Sequence, residues 1–250
     1  MTDIQKIAEK IRTADAVLAG ASNGFSISEG LHIFADNEDF RRLFGDFRQT
    51  YGIRSILQGL FFRWPSEEAR WAFTSRLISR YSAGYTGSPL MDAVKKILDG
   101  KPYFIVTSNG ENHFELAGLD PGRILEIEGS WKEMRCAAGC HDALYPTWDA
   151  VSRMSARETG GLVPSELVPR CPKCGAPMAI NFHPSAKQEN AYRAFLQEHR
   201  GKKLLILEFG IGARNQLIKA PLMRLAAQEP NAFYITFNKG ELYIPAAIRD

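Results

Sequence analysis

The 250-residue sequence has no uncharged apolar stretch approaching the ~18 residues that a membrane-spanning helix needs. It also lacks any run of lysine and arginine, and its 31 basic and 28 acidic side chains leave a net charge of only +3. The first residues, MTDIQKIAEKIRTAD, carry charges at close intervals and no apolar core of a signal peptide. We therefore expect no membrane partner, no nucleic acid partner and a cytoplasmic location.

Cysteine is scarce, and its spacing is informative. The four cysteines form two close pairs, Cys136 with Cys140 and Cys171 with Cys174, which is unlike a disulfide framework and suits a reducing compartment. Four thiolates fill a tetrahedral zinc site and leave no position for water, so we expect a structural metal. Iron could occupy the same geometry, and the alternative is four free buried cysteines.

The sequence contains neither a G-x-G-x-x-G fingerprint nor a Walker lysine. It does contain five short apolar runs, at residues 16–20, 103–107, 124–127, 204–209 and 233–237. Runs with so little alternation are typical of strands buried on both faces of a parallel sheet. Each run is followed by Gly, Asn, Ser or Glu, at the sheet edge where α/β proteins bind ligands. The pattern predicts a Rossmann-like α/β fold with a nucleotide site.

Helical patterns fill the gaps between these runs. Ser88 and Pro89 predict the start of a helix that Gly100 ends, and residues 186–200 form an amphipathic candidate. The aromatic-rich stretch 57–73 is interpreted as helix packing. We predict a Rossmann-like domain from residues 1–130 and 180–250, a helical insertion at about 31–100, and a zinc-binding module at 131–179.

Several motifs occur in the order found in one known family. They are GAS (20–22), TSNGE (107–111), LAG (116–118), EG (128–129), both cysteine pairs, GIG (210–212) and Asn238. In this order and spacing the chain resembles the sirtuin family, whose members have a GAG-type loop, a TQNID-type strand end, an HG motif, zinc cysteines and a GTS-type strand end. The resemblance extends over nearly the whole chain.

The departures from that family narrow the resemblance. Glu128 stands at the position of the catalytic histidine, and AINFHPSAKQE (179–189) has no FGE-type motif to clamp an acylated peptide. These features are similar to the macrodomain-linked sirtuins, which have an N-x-D-x-x-F motif and an ELGVGxNTP-like strand end. Asn109, Glu111 and Phe114 match the first motif, and LEFGIGARNQLIK (207–219) matches the second. Even in that class, aspartate is usual at position 111 and glutamine at 128.

The resemblance implies the cofactors and the site residues. The cofactors are NAD and structural zinc. Three residues are implied in catalysis. Asn109 would form a hydrogen bond with a ribose, Glu111 would form one with the nicotinamide amide, and Glu128 takes the position of the histidine. The implied NAD-binding residues are Gly20, Ala21, Ser22, Gly24, Phe25, Ser26, Ser108, Asn109, Glu111, Gly210, Ile211, Gly212, Asn238 and Lys239. Backbone N–H groups of 20–26 are expected to hold phosphate oxygens.

Glu128 raises a chemical question. A carboxylate with a reference pKa near 4.3 is a poor base unless burial raises that pKa toward ~6–7. Its negative charge can instead stabilise an oxocarbenium ion, as carboxylates do in glycosidases. Our hypothesis is that Glu128 orients the ribose and supports the cation; the alternative is a strand-end glutamate that contacts only water. His113 and His141 are lone imidazoles, and His141, directly after Cys140, is expected to lie beside the metal ligands or at the surface and not to be a ligand. Glu29 and Arg214 lie in ligand-facing loops and are expected to be solvated.

The resemblance implies a protein ADP-ribosyltransferase that cleaves the nicotinamide–ribose bond of NAD and transfers ADP-ribose to a protein. It also suggests a lipoylated carrier protein as acceptor and a macrodomain hydrolase as partner. Two alternatives stay open. One is an NAD-dependent protein lysine deacylase, and the other is a silent module that binds NAD or ADP-ribose.

Overall fold

A computed structural model describes residues 3–240 and 242–248 of the chain, so the last residues of the predicted range 180–250 lie outside it, as does residue 241. The strands are β1 (Ala16–Ala21), β2 (Tyr103–Thr107), β3 (Ile124–Glu126), β4 (Ser130–Cys136), β5 (Tyr145–Pro146), β6 (Met178–Asn181), β7 (Leu204–Phe209) and β8 (Phe233–Phe237). The α-helices are α1 (Asp3–Thr13), α2 (Asn23–Ser28), α3 (Glu38–Tyr51), α4 (Ile56–Leu60), α5 (Glu67–Ile78), α6 (Pro89–Leu98), α7 (His113–Leu116), α8 (Trp148–Arg157), α9 (Ala186–Glu198) and α10 (Gln216–Gln228). A π-helical turn, Ser79–Ala83, continues α5.

All five predicted strands join one parallel sheet, in the order β3-β2-β1-β7-β8. The predicted Rossmann-like fold is confirmed. The observed bounds differ by one residue at the ends of β1 and β3. Because all these strands run the same way, the loops that follow them meet at one edge of the sheet. No helix among the described residues is long and apolar enough to cross a membrane.

Each face of the sheet is covered by its own apolar cluster. On one face, Val17 and Ala19 of β1 pack with residues of α6 such as Met91. On the other face, Leu18 packs with residues of α9 and α10 such as Phe195. Burial on both faces explains why the strands are apolar without alternation.

A third cluster joins the helices after residue 38 to the cysteine segment. Trp71 and Phe73 of α5 pack there together with Met154 of α8, Cys136 and Cys171. The interpretation of the aromatic stretch as packing is therefore confirmed for Trp71 and Phe73, whereas Phe61 of the same stretch is exposed. The strands of the cysteine segment form a separate antiparallel sheet in the order β5-β4-β6.

The predicted start of α6 is confirmed by its cap. The Oγ of Ser88 accepts a hydrogen bond from the N–H of Met91 at 3.0 Å, and Pro89 lies in the first turn. The helix ends one residue before Asp99, and Gly100 has a φ of +67°. This turn leads the chain directly into β2, which carries a central loop of the site described below.

Candidate active site at the carboxyl edge of the sheet

The loops after β1, β2 and β7 are held together by a small polar network. Ser108 donates to the hydroxyl of Ser22 at 3.0 Å. The Asn215 amide donates to that same hydroxyl at 2.8 Å and to the Ser108 hydroxyl at 3.2 Å. Ser22 and Ser108 are both buried. The network brings predicted residues of the first two loops together, and it adds Asn215, which the sequence analysis leaves without a role.

Asn109 is anchored at the centre of this network. Its side-chain amide donates to the backbone oxygen of Ser22 at 3.1 Å, and its backbone N–H donates to the Thr107 hydroxyl at 3.0 Å. The Oδ1 of Asn109 is buried and has no hydrogen-bond partner in the described part of the chain. Buried acceptors are rarely left unsatisfied, so this oxygen is available to a donor on a ligand.

Glu111 lies beside the loop that follows β1, residues 20–30, which is called the glycine loop below. Its Oε1 accepts a hydrogen bond of 2.5 Å from Ser26, and the residue is only 3% exposed. Burial raises the pKa of Glu111 above its ordinary value, while the charge of His113 and the hydrogen bond from Ser26 act in the opposite direction. Each carboxylate oxygen has two lone pairs, so the Glu111 carboxyl group can accept a further hydrogen bond from a bound amide.

Two residues that the sequence analysis sets aside are buried beside Glu111. His113 Nδ1 lies 2.7 Å from Glu29 Oε2, and His113 Nε2 lies 2.6 Å from the backbone oxygen of Tyr81. The Glu29 side chain is fully buried, so the expectation of a solvated loop residue is wrong. It accepts further hydrogen bonds from Tyr85 and Ser88 at 2.7 and 2.5 Å. By contrast, Arg214 is exposed as expected.

Asn112 and Glu126 form a second buried pair in the same loop region. The Asn112 amide donates to Glu126 at 2.5 Å and to Ser130 at 2.7 Å. Asn112 has a φ of +66°, the single positive value among the described non-glycine residues. Burial raises the pKa of Glu126 to about 7, against the opposing charge of Lys132. These contacts hold the loop between Asn109 and His113 in a conformation that most residues avoid.

A small cavity of about 10 Å³ lies within this loop region. That volume accommodates roughly one water molecule. Its lining includes Asn109, Glu111, Asn112, His113 and Glu126. The buried ionisable groups Glu111, His113 and Glu126 therefore border one small cavity behind the loop.

Glu128 differs from the other two predicted catalytic residues. It lies two residues beyond the end of β3 and is exposed, and none of the described residues forms a hydrogen bond or ion pair with its side chain. Partial burial raises the pKa of its carboxyl group. The adjacent Gly129 is pressed against the segment after β6, since a Cβ there would lie 2.1 Å from the Asn181 oxygen. The structure therefore places Glu128 at the correct edge of the sheet but does not link it to Asn109 or Glu111.

The glycine loop provides fewer free N–H groups than the sequence analysis expects. The N–H of Ser22 donates to Phe209, that of Gly24 to Gly210, and that of Phe25 back to Ser22. Asn23 and Ser26 are the remaining loop positions that could bind phosphate oxygens. The ring of Phe25 is stacked on Phe114 at 5.0 Å and is therefore a packing residue of the loop.

The remaining predicted NAD-binding residues are spread along the same edge. Gly20 and Ala21 lie within β1, where a Cβ on Gly20 would meet Leu222 at 2.3 Å. Ile211 is buried against α10, whereas Gly212 and Lys239 are exposed. Asn238 follows β8, whose Phe237 oxygen accepts the N–H of Gly210 at 2.8 Å.

These residues fit a nicotinamide dinucleotide. The free Oδ1 of Asn109 can accept from a ribose hydroxyl, and Glu111 can accept from a carboxamide. Gly212 lets backbone approach a ligand closely, since a Cβ there would meet nothing within 4 Å, whereas Gly24 and Gly210 lie against each other. The loops that carry the predicted NAD-binding residues follow β1, β2, β7 and β8. These strands are neighbours in the sheet, so the fold brings the residues together.

The four cysteines form a cluster of their own, in a different segment of the chain from the residues of this site. Their sulfur atoms all lie within 4.8 Å of one another, with pairs at 3.6 Å between Cys136 and Cys174 and between Cys140 and Cys171. Gly139 and Gly175 supply the tight turns with φ of +63° and +72°. Four thiolates at this separation could hold one tetrahedral zinc ion, and no ligand position would be left open.

His141 lies beside the cysteine cluster rather than inside it. Its Nδ1 is 3.4 Å from Cys140 Sγ, and its Nε2 is 2.8 Å from the hydroxyl of Tyr145. The bond to Tyr145 fixes the ring at the rim, which agrees with the expectation that His141 is not a ligand.

Comparison with known proteins gives two sequence relatives. No family model matches the chain. The chain is 34% identical to a protein ADP-ribosyltransferase of Staphylococcus aureus, over 100% of this chain and 84% of the relative. It is 29% identical to a probable bifunctional ADP-ribose hydrolase/ADP-ribosyltransferase of Fusarium oxysporum f. sp. cubense, over 82% of this chain. The match spans only 36% of that second relative.

Two solved structures illustrate the likeness in fold. A complex of a Sir2 homologue with NAD matches 98% of this chain and 85% of its own, with a TM-score of 0.63 and 17% identity. A Sir2 protein bound to an acetylated peptide matches 96% of this chain and 88% of its own, with a TM-score of 0.51 and 14% identity. At these identities the likeness establishes the shared fold.

Proposed function

The chain belongs to the protein ADP-ribosyltransferases of sirtuin type, and from that premise we propose that it cleaves the nicotinamide–ribose bond of NAD and transfers ADP-ribose to a protein. The Staphylococcus aureus relative bears the name of this activity and aligns with the whole chain. The observation that carries the proposal is the buried pair Asn109 and Glu111, both held by the glycine loop, with a free acceptor atom on Asn109.

In this proposal Asn109 and Glu111 select and orient the substrate. Asn109 is fixed through its amide, so its Oδ1 accepts a hydrogen bond from a ribose hydroxyl. Glu111 is fixed by Ser26, and its other oxygen accepts a hydrogen bond from the nicotinamide amide. Both contacts hold the nicotinamide–ribose bond in a fixed position, which lowers the entropic part of the activation barrier for its cleavage.

Glu128 is proposed to stabilise the positive charge that develops on the ribose when nicotinamide leaves. Its carboxylate has no partner among the described residues, so its charge is available to a ligand. Partial burial raises the pKa of this carboxyl group above its ordinary value. A nearby carboxylate stabilises an oxocarbenium-like transition state, as in glycoside hydrolysis.

The glycines and the last strand are proposed to bind the other half of NAD. The loops that carry Gly210, Gly212 and Asn238 lie next to the glycine loop, because β7 and β8 continue the sheet beyond β1. At Gly212, where a Cβ would meet nothing within 4 Å, open backbone allows the adenosine and its phosphates to lie close to the main chain.

The acceptor is proposed to be a protein, since a structural neighbour binds an acetylated peptide and the sequence relative is a protein ADP-ribosyltransferase. The resemblance to macrodomain-linked sirtuins suggests a lipoylated carrier protein as that acceptor. A macrodomain hydrolase is proposed as partner, supported by the Fusarium relative whose name joins a hydrolase to the transferase. The four unpaired cysteines favour a cytoplasmic location.

Labelled NAD tests the proposed function. The zinc-loaded protein is incubated with adenylate-labelled NAD, a lipoylated carrier protein and an acetylated peptide in separate reactions. We expect label on the carrier protein together with release of nicotinamide. Deacetylated peptide without protein labelling would indicate a deacylase instead, and NAD binding without nicotinamide release would indicate a silent module.

A further inference from the structure

We propose that His113 is a positioning residue, a buried imidazolium that ties Glu29 to the loop of Glu111 and keeps the Glu111 carboxyl group ionised for its contact with nicotinamide. The inference deepens the proposed function and rests on it, because Glu111 matters only if the site binds NAD. It concerns residues of the glycine loop, the β2 loop and the π-helical turn, which are far apart in the sequence.

The hydrogen bonds of His113 define its charge. Nε2 faces the backbone oxygen of Tyr81 at 2.6 Å, and a carbonyl can only accept, so Nε2 carries a proton. Nδ1 faces Glu29 Oε2 at 2.7 Å. The other oxygen of Glu29 already accepts from Tyr85 and Ser88, which stabilises the ionised carboxylate. A neutral imidazole has only one N–H, so the pair of acceptors requires the doubly protonated ring.

The surroundings of the ring support that charge. His113 is 3% exposed, and the ring of Tyr85 is stacked on it with 3.9 Å between centroids. Burial by itself lowers the pKa of His113, yet the hydrogen bond to Glu29 and the charge of Glu111 outweigh burial and raise that pKa. For Glu29 burial raises the pKa, but the hydrogen bonds from His113, Ser88 and Tyr85 lower it overall.

The charge of His113 reaches Glu111, two residues earlier in the same loop. Glu111 is buried and has one side-chain donor, Ser26, so its ionised form depends on nearby positive charge. The charged groups that face it are His113, which favours ionisation, and Glu29, which opposes it. His113 is therefore the positive charge that opposes the effect of burial on the pKa of Glu111, although burial remains the larger effect.

The ion pair between Glu29 and His113 also connects two loops of the site. Glu29 follows α2, so the ion pair connects the far end of the glycine loop to the β2 loop across 84 residues of sequence. Tyr81 and Tyr85 attach the pair to the helical segment that follows α5. Loss of the imidazolium would remove the ion pair that connects the two loops, and it would also remove the positive charge near Glu111.

The first test compares His113→Gln, His113→Lys and His199→Gln in the full-length protein. Glutamine removes the charge, so the pKa of Glu111 rises further and the acid limb of kcat/KM for NAD moves to higher pH. We expect a loss of at least about tenfold at pH 6 and a smaller loss at pH 8.5, because one pH unit of displacement is tenfold on that limb. His113→Lys restores the charge and should return the limb toward that of the wild type.

His199 is the matched control. It is also 3% exposed and donates from Nδ1 to the Phe195 oxygen at 2.8 Å, but it lies at the opposite end of the sheet. His199→Gln should leave the pH profile in place, even where it lowers stability. An unchanged profile in His113→Gln, or equal loss in His113→Gln and His113→Lys at all pH values, would overturn the inference.

A second measurement does not depend on activity. The ¹⁵N shifts of the His113 ring in the NAD-free wild type should show both nitrogens protonated from pH 6 to pH 8. A neutral ring at pH 7.5 would overturn the inference even if the protein transfers ADP-ribose. If the wild type shows no transfer at any pH, the proposed function fails, while a protonated ring would still establish the buried ion pair.

Discussion

Gly24 and Gly210 meet backbone to backbone at the centre of the carboxyl edge. The N–H of Gly24 donates to the oxygen of Gly210 at 3.0 Å. A Cβ added to Gly24 would lie 2.5 Å from that oxygen, and one added to Gly210 would lie 2.3 Å from the nitrogen of Phe25. The loops after β1 and β7 therefore join through contacts that leave no room for side chains.

Gly210→Ala should damage both folding and NAD binding. The added methyl group meets backbone that cannot rotate away, and Gly210 has a φ of +59°, which disfavours alanine. We expect the free energy of unfolding to fall by about 1–3 kcal/mol. Urea unfolding of Gly212→Ala is the control, since a Cβ at Gly212 meets nothing within 4 Å. Equal stability of the two variants would contradict the close approach.

Glu126 should make the protein less stable as the pH rises. Burial raises the pKa of Glu126 from 4.5 to about 7, so the folded state binds a proton more tightly than the unfolded chain. The resulting stabilisation is complete below pH 4.5 and is lost as the pH rises through about 7. Its size is on the order of 3 kcal/mol.

Glu126→Gln isolates this effect, because glutamine is neutral and can still accept from Asn112. We expect the wild type to lose more unfolding free energy than Glu126→Gln between pH 5 and pH 8, measured in urea. Glu133→Gln, at a partly exposed position of β4, controls for the change of charge. Parallel pH curves for wild type and Glu126→Gln would contradict the buried, protonated carboxyl group.

Metal removal should destabilise the core shared by the cysteine segment and the helices. Cys136 and Cys171 are buried members of that cluster, so the ion would fix residues on which Trp71 and Phe73 pack. A site with free zinc at a thousand times its Kd contributes about 4 kcal/mol. We expect one zinc per chain by elemental analysis and a lower Tm after chelation. Chelation should not change Cys171→Ser further, and a metal-free wild type with an unchanged Tm would contradict the zinc site.

Glu128→Gln should slow nicotinamide release from NAD. The substitution keeps the size of the side chain and removes its charge, so only charge stabilisation is lost. We expect kcat to fall on the order of 100-fold with little change in KM. Glu198→Gln, an exposed glutamate at the other end of the sheet, is the control. Equal turnover in wild type and Glu128→Gln would leave Glu128 as a solvent-exposed turn residue.

The sheet could be predicted from the sequence because its strands are buried on both faces. Val17 and Leu18 point to opposite clusters and are both apolar, so the strand is visible as an uninterrupted run. The start of α6 at Ser88 could also be predicted, because a serine before a proline is a local signal for the start of a helix. The division into a sheet domain, a helical insertion and a zinc module stays a prediction.

The buried charges of the site could not be predicted in this way. Glu29 and His113 are 84 residues apart, and only the packing of the segment around Tyr81 and Tyr85 buries them. Glu126 lies inside an apolar run, and an acidic residue at such a position is the sequence signal of a buried carboxyl group. Asn215 follows a glycine pair and precedes a helix, a position typical of ligand-facing polar residues.

Calorimetric titration of NAD into the zinc-loaded protein tests the central claim most directly. The claim is that the loops after β1, β2, β7 and β8 form one NAD site around Asn109. We expect one NAD bound per wild-type chain and at least about tenfold weaker binding by Asn109→Ala, a change of about 1.4 kcal/mol. The absence of any binding heat in the folded, metal-loaded wild type at several temperatures would contradict the account.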